Sequence, residues 1–90
     1  MWKVKYAKRF LKELSEVPIE TRARAEKIVF EVLPGENPFS LGLLERMAAY
    51  PGRYKIRVGD YRIGIEVDTG KQLIIFKRIA NRKDIYRIFP

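Results

Sequence analysis

Lys55, Arg57 and Arg62 stand close together in a stretch where charged and apolar side chains alternate. Tyr54, Ile56 and Val58 alternate with Arg53, Lys55 and Arg57; after Gly59-Asp60, Tyr61, Ile63, Ile65 and Val67 alternate with Arg62, Gly64 and Glu66. Alternation of this kind marks strands, and a two-residue loop with glycine first makes a hairpin on a type II′ or I′ turn. Counting outward from the loop pairs Val58 with Tyr61, Arg57 with Arg62, Ile56 with Ile63, Lys55 with Gly64 and Arg53 with Glu66. Lys55, Arg57 and Arg62 then share one face, opposite the apolar members. Arginines directly opposed across two strands repel, so stability alone would favour a carboxylate there, as at Arg53 and Glu66. Gly64 weakens its strand but leaves room for something to approach the backbone beside Lys55. The arrangement suits the binding of an anion. The bland reading is a solvated face that tolerates one poor pair.

The last strand and its tail add Arg78, Arg82, Lys83, Tyr86 and Arg87, which reach the same face if that strand pairs beside the hairpin. Tyr86 either stacks on an unpaired base or donates a proton, or else it closes the edge of the core. For Lys8, Arg9 and Lys12 a solvated helix face is the simpler reading. The chain contains neither histidine nor cysteine. Ser-His-Asp and Cys-His centres, thiolate metal sites and disulfides are therefore excluded, and acid–base work falls to Lys, Arg, Tyr, Asp or Glu. Nineteen Lys and Arg against eleven Asp and Glu give a formal charge of +8. Such an excess points to a polyanionic partner, because cations gain affinity by displacing counterions from phosphates.

The elements that must position these groups are legible in the spacing. Ninety residues allow one domain, spanning 1–90, and a hydrophobic content of 47% is enough for one core. Trp2, Val4 and Tyr6 mark an opening strand. Phe10, Leu11, Leu14 and Val17 then fall at helical spacing, and Ala25, Ile28, Val29, Val32 and Leu33 mark a second helix that starts at Pro18 and ends at Pro34-Gly35. Glu36 to Gly52 is irregular and stays unassigned, with room for a helical turn. After the hairpin, Asp68 to Lys71 turns the chain into a strand over Gln72 to Ile79, and Lys83 to Phe89 suits a closing helical turn. The expected fold is α+β in the order β-α-α-β-β-β, a helical hairpin packed on a small, mainly antiparallel sheet with a short C-terminal helical turn. No apolar run of about eighteen residues suggests a membrane span, and no signal-like stretch follows Met1, so a cytoplasmic protein is expected.

The run Arg53-Tyr54-Lys55-Ile56-Arg57-Val58-Gly59-Asp60-Tyr61-Arg62-Ile63 resembles the central signature of the RelE/ParE toxins of toxin–antitoxin systems. Asn81-Arg82-Lys83-Asp84-Ile85-Tyr86 is similar to the motif that closes many members, and the resemblance covers essentially the whole chain. It implies a ribosome-dependent endoribonuclease that cuts mRNA in the A site, without metal or cofactor, by attack of the 2′-hydroxyl on the adjacent phosphate. It also implies a cognate antitoxin that wraps the toxin, with the toxin alone monomeric and the complex hetero-oligomeric. Lys55 and Arg57 fall where RelE-like members carry sheet lysines, Arg62 matches a phosphate-binding arginine, Arg82 a later arginine and Tyr86 the C-terminal aromatic. Arg78, Lys83 and Arg87 are further RNA-binding candidates. Two departures bear on chemistry: Arg57 replaces a lysine base by a side chain that stays protonated, and Asn81 stands where many relatives have histidine. The same superfamily offers two other readings, a ParE-like inhibitor of DNA gyrase and a basic RNA-binding module with weak catalysis.

Overall fold

Strand alternation and helical spacing translate into five strands and three helices in the computed structural model, which describes residues 2–35 and 37–90; Met1 and Glu36 lie outside the described residues. β1 (Lys3–Tyr6) leads through Ala7 into α1 (Lys8–Ser15), and α2 (Ile19–Lys27) follows directly after Pro18. Proline suits this place because its missing N–H has no partner to lose before the first turn closes. α2 widens into a π-helical turn over Ile28–Val32, where the Leu33 N–H donates to the Ile28 carbonyl at 3.0 Å. Gly35 then takes φ 86°, a left-handed conformation that glycine adopts without a Cβ penalty.

The unassigned stretch holds two short elements. Asn37 accepts the Phe39 N–H at 3.0 Å and opens a 3₁₀ turn over Pro38–Leu41; β2 (Leu44–Arg46) follows as an edge strand. Three residues of strand with a single apolar inward position leave too little periodicity to read from sequence.

β3 (Arg53–Val58) and β4 (Tyr61–Asp68) form the expected hairpin, with all five anticipated cross-strand pairs in register. Left-handed φ is confined to Gly59 (58°) in its loop, which is the type II′ pattern. β5 (Leu73–Asn81) pairs antiparallel with β4 and parallel with β1, giving the sheet order β1-β5-β4-β3-β2. A β-bulge between Gly64 and Ile65 shifts the β4–β5 register. α3 (Ile85–Ile88) closes the chain.

One face of the sheet carries the main core. Ile56, Val58, Ile63, Ile65, Ile74 and Phe76 pack there against Phe10, Leu14, Val17, Ala25, Val29 and Leu33 of the helices. Tyr6 stacks on Phe76 with ring centroids 5.2 Å apart, and its hydroxyl donates to the Val29 carbonyl at 3.1 Å. Burial pushes its phenol pKa above the ordinary tyrosine range. Leu11, expected on the apolar stripe of α1, is instead exposed at 42%. Position 11 follows the buried Phe10 directly, about 100° around the helix, and so turns away from the sheet.

Candidate functional site

Residues paired across strands share a face, so the register places Lys55, Arg57, Arg62, Gly64, Arg78 and Ala80 on the side of the sheet away from the main core. β3 and β4 supply the first three cations, and Arg57 stands directly opposite Arg62. Arg57 is exposed, Lys55 half-exposed and Arg62 only 8% exposed. The Arg62 Nη1 donates to the Gly59 and Tyr61 carbonyls, both at 2.9 Å, which fixes the guanidinium against the hairpin loop. Arg82 is brought beside that loop by its own backbone N–H, which donates to the Asp60 carbonyl at 2.8 Å. Lys83 is exposed just beyond it, its N–H bound to the Asn81 side chain at 3.0 Å.

α3 lies on this same face. Its Ile85, together with Phe89 and Met47, forms a second, smaller buried cluster against Ala80 and Ile88. The Phe89 ring rests on Gly64 so closely that an added Cβ would lie 2.5 Å from it. The room that Gly64 opens is therefore filled by the chain's own aromatic ring, and not left for an outside molecule. Ile85 and Phe89 close the core edge, which leaves Tyr86 62% exposed. The Lys55 ammonium donates to the Tyr86 hydroxyl. Although the ammonium is also 4.8 Å from the ring centroid, contact with the hydroxyl puts it at the oxygen end of the ring. The interaction is thus a hydrogen bond and not a cation–π contact.

Charge divides the face into two parts. At the hairpin end, no carboxylate among the described residues lies within ion-pair distance of Lys55, Arg57, Arg62 or Arg82. Toward the other end Arg53 and Lys77 share Glu66 at 3.4 and 3.6 Å and Arg78 holds Glu13 at 2.7 Å, while Lys3 and Lys5, which the β1–β5 register places on the same face, make no ion pair among the described residues. The Arg78 pair is bidentate, with Nε within 3.1 Å of both Glu13 oxygens. Glu13 also accepts the Ile79 N–H at 3.1 Å, on the stretch of β5 that β1 no longer covers. The hydrogen bond to Glu13 holds the Arg78 pKa above the usual arginine range, against a smaller opposing effect of burial. Arg78 thus braces α1 against β5 and does not present its guanidinium to the open cluster. Arg87, the other tail arginine, is exposed and paired with Asp84 at 2.6 Å.

Of the eight residues singled out in the sequence, Lys55, Arg57, Arg62, Arg82 and Tyr86 are brought to the open end, Lys83 lies beside it, and Arg78 and Arg87 are engaged by carboxylates. Two residues that the sequence did not single out border the same area. Arg46 and Tyr50 line a cleft of about 400 Å³ with Lys55 and Tyr86. They sit in the irregular stretch, where no periodicity announces which way a side chain points.

A family model described as the ParE toxin of the type II toxin–antitoxin system, parDE, matches residues 4–86. The chain belongs to this family. Within the RelE/ParE superfamily, Toxin RelE3 of Methanocaldococcus jannaschii is 43% identical over 89 residues, covering 98% of this chain and 99% of that protein. The RelE fold is also that of a RelB–RelE antitoxin–toxin complex from Methanococcus jannaschii. That structure is 40% identical, with a TM-score of 0.77 over 96% of this chain and 99% of the other. The intact E. coli RelBE toxin–antitoxin complex shares the fold at 20% identity, with a TM-score of 0.68 over 90% of this chain and 96% of that one. The protein is therefore a toxin of the RelE/ParE superfamily. Among its described residues no helix is long and apolar enough to cross a membrane.

Proposed function

We propose that this toxin is a metal-independent endoribonuclease that cleaves mRNA in the ribosomal A site, and that a cognate antitoxin silences it by covering the open cationic end of the sheet. The observation that carries the reading is that Lys55, Arg57, Arg62 and Arg82 gather at the hairpin end of one face, none with a carboxylate partner among the described residues, and that the Lys55 ammonium meets the hydroxyl of Tyr86. A scissile phosphate held there gains negative charge as the 2′-oxygen attacks. Cations already fixed in place stabilise that charge without reorganising. Arg62 is the best prepared, because its guanidinium is held by two backbone carbonyls.

In this scheme the O2′–P bond forms as the P–O5′ bond breaks, leaving a cyclic phosphate. The 2′ proton leaves to water, since Arg57 stays protonated and Lys55, an ammonium that already donates to Tyr86, has no lone pair to take it. The Tyr86 hydroxyl donates a proton to the departing 5′-oxygen, and its contact with Lys55 gives the proton a path between the two groups. The antitoxin part of the proposal is supported by the relatives of known structure, which include RelE toxins solved with RelB antitoxins.

Primer extension on mRNA bound to purified ribosomes tests the reading. The wild-type protein should give discrete A-site cuts, and Arg57→Ala should lose them while melting at or slightly above the wild-type temperature. Arg57 serves better than Arg62 here, because Arg62→Ala also removes two bonds that brace the hairpin. A folded wild-type protein that makes no cuts would sink the proposal. The match to the ParE family model favours one second reading, inhibition of DNA gyrase by binding without RNA cleavage. Gyrase-dependent DNA damage on expression, with ribosome-bound mRNA intact, would establish it instead.

A further inference from the structure

The cleft beside Lys55 opens between the β2–β3 connection and α3, and its lining includes Tyr50, Tyr86, Arg46 and Lys55 above Met47 and Phe89. Its volume of about 400 Å³ is within the range of small-ligand sites. Tyr50 is 54% exposed, so core packing does not account for a large ring at this position. The backbone that presents it is nevertheless tightly set. The Tyr50 N–H donates to the Met47 carbonyl at 3.2 Å, and the Tyr50 carbonyl accepts the Arg53 N–H at 3.1 Å. Between them Ala49 is held at φ 69°, where a residue with a Cβ is uncommon. A constrained turn is thus holding an exposed aromatic ring at the mouth of a cleft.

The chemistry of the cleft is narrow. Its aromatic walls offer flat faces, its floor is apolar (Met47 and Phe89 are both buried), and its rim carries the Lys55 ammonium. That combination fits a planar ring attached to an anionic backbone, as in unpaired RNA. Resting on the reading of the open end as an RNA phosphate site, we propose that this cleft receives a nucleobase adjoining that phosphate. Tyr50 is its stacking wall and a determinant of which bases the toxin accepts.

The test uses ribosomes programmed with mRNA that carries 2-aminopurine at each A-site codon position in turn, with 2′-O-methyl groups to prevent cleavage. Wild-type toxin should quench the probe at one position. Tyr50→Ala should abolish that quench and weaken binding about tenfold, the order expected for one lost base–aromatic stack. Tyr50→Phe should keep both, which a role for the hydroxyl would not allow. Unchanged quench and affinity in Tyr50→Ala would overturn the proposal, and so would the absence of wild-type quench at every position. Cleavage of unmodified mRNA by the same wild-type protein distinguishes these failures from failure of the nuclease reading, because cuts without a Tyr50 effect refute the cleft alone.

Discussion

Two groups of cations on one sheet face are treated differently. Arg53, Lys77 and Arg78 are each matched to a carboxylate, whereas Lys55, Arg57, Arg62 and Arg82 have none among the described residues. The divider is physical. Gly64 pairs with Lys55 on one side and Arg78 on the other, and the Phe89 ring lies on top of it. An arginine paired on a surface contributes modestly to stability, while opposed arginines on neighbouring strands oppose it. What sets the open end apart is that two of its cations, Arg57 and Arg62, oppose each other directly across the strands, and locally unfavourable choices of this kind gather at functional surfaces.

The largest effect should come from breaking the open end. Arg57→Ala is expected to lower A-site cleavage by at least ~10²-fold, the scale for removing one charge-stabilising group. Its stability should change by no more than about 0.5 kcal/mol, and in the favourable direction as repulsion from Arg62 is relieved. Arg53→Ala, at the paired end, should leave cleavage close to wild type. Equal losses from the two variants, measured by single-turnover primer extension, would erase the distinction between the ends.

How far this was legible in the sequence depended on the period of each segment. The hairpin register, the shared face of Lys55, Arg57 and Arg62 and the short closing helix all followed from alternation and turn chemistry, because strand periodicity and loop length leave little freedom. β2 and Tyr50 did not follow, because three residues of edge strand and a turn have no period to read. Gly64 shows a subtler limit. Its lack of a side chain was legible as room beside the cationic cluster, but which group takes that room depends on where α3 folds back, and only the tertiary structure supplies Phe89. Arg78 shows the same limit for charge: nothing in the spacing links position 78 to Glu13, 65 residues earlier.

The divider itself can be removed. Phe89→Ala should cost about 3 kcal/mol through the cavity it leaves beside Met47 and Ile85, read as a lowered denaturation midpoint. Releasing α3 should also uncouple Tyr86 from Lys55. Tyr86→Phe should then reduce cleavage in the wild-type background and add nothing in the Phe89→Ala background. Additive losses across this double-mutant cycle would show that Phe89 does not position Tyr86.

A smaller change would convert one end toward the other. Glu13→Ala removes the partner of Arg78 and the acceptor of the Ile79 N–H, and is expected to cost about 2 kcal/mol, since both groups lose a hydrogen bond in a mostly buried setting. The released Arg78 guanidinium then joins the unpaired cations, so the slope of log affinity for RNA against log salt should steepen by about one unit. An unchanged slope in a folded Glu13→Ala protein would mean that Arg78 cannot reach the RNA even when freed.

The smallest expected effect concerns the protein without RNA. If the open end stores like-charge repulsion, added salt should relieve it, because screening weakens interactions between exposed charges over about 10 Å at 0.1 M. Raising salt from about 0.05 to 0.5 M should then stabilise the wild-type protein by a few tenths of a kcal/mol, the scale of one unfavourable cross-strand pair. Surface ion pairs respond in the opposite sense, so Arg53–Glu66 and Arg87–Asp84 should oppose the gain slightly. Arg57→Ala isolates the term, since it removes the opposed partner of Arg62 and touches none of the four ion pairs among the described residues. Its stability should rise less with salt than that of the wild type in parallel urea titrations with a neutral denaturant. Identical salt responses would mean that Arg57 and Arg62 do not repel appreciably across the strands, and that their pairing needs no functional reason to persist.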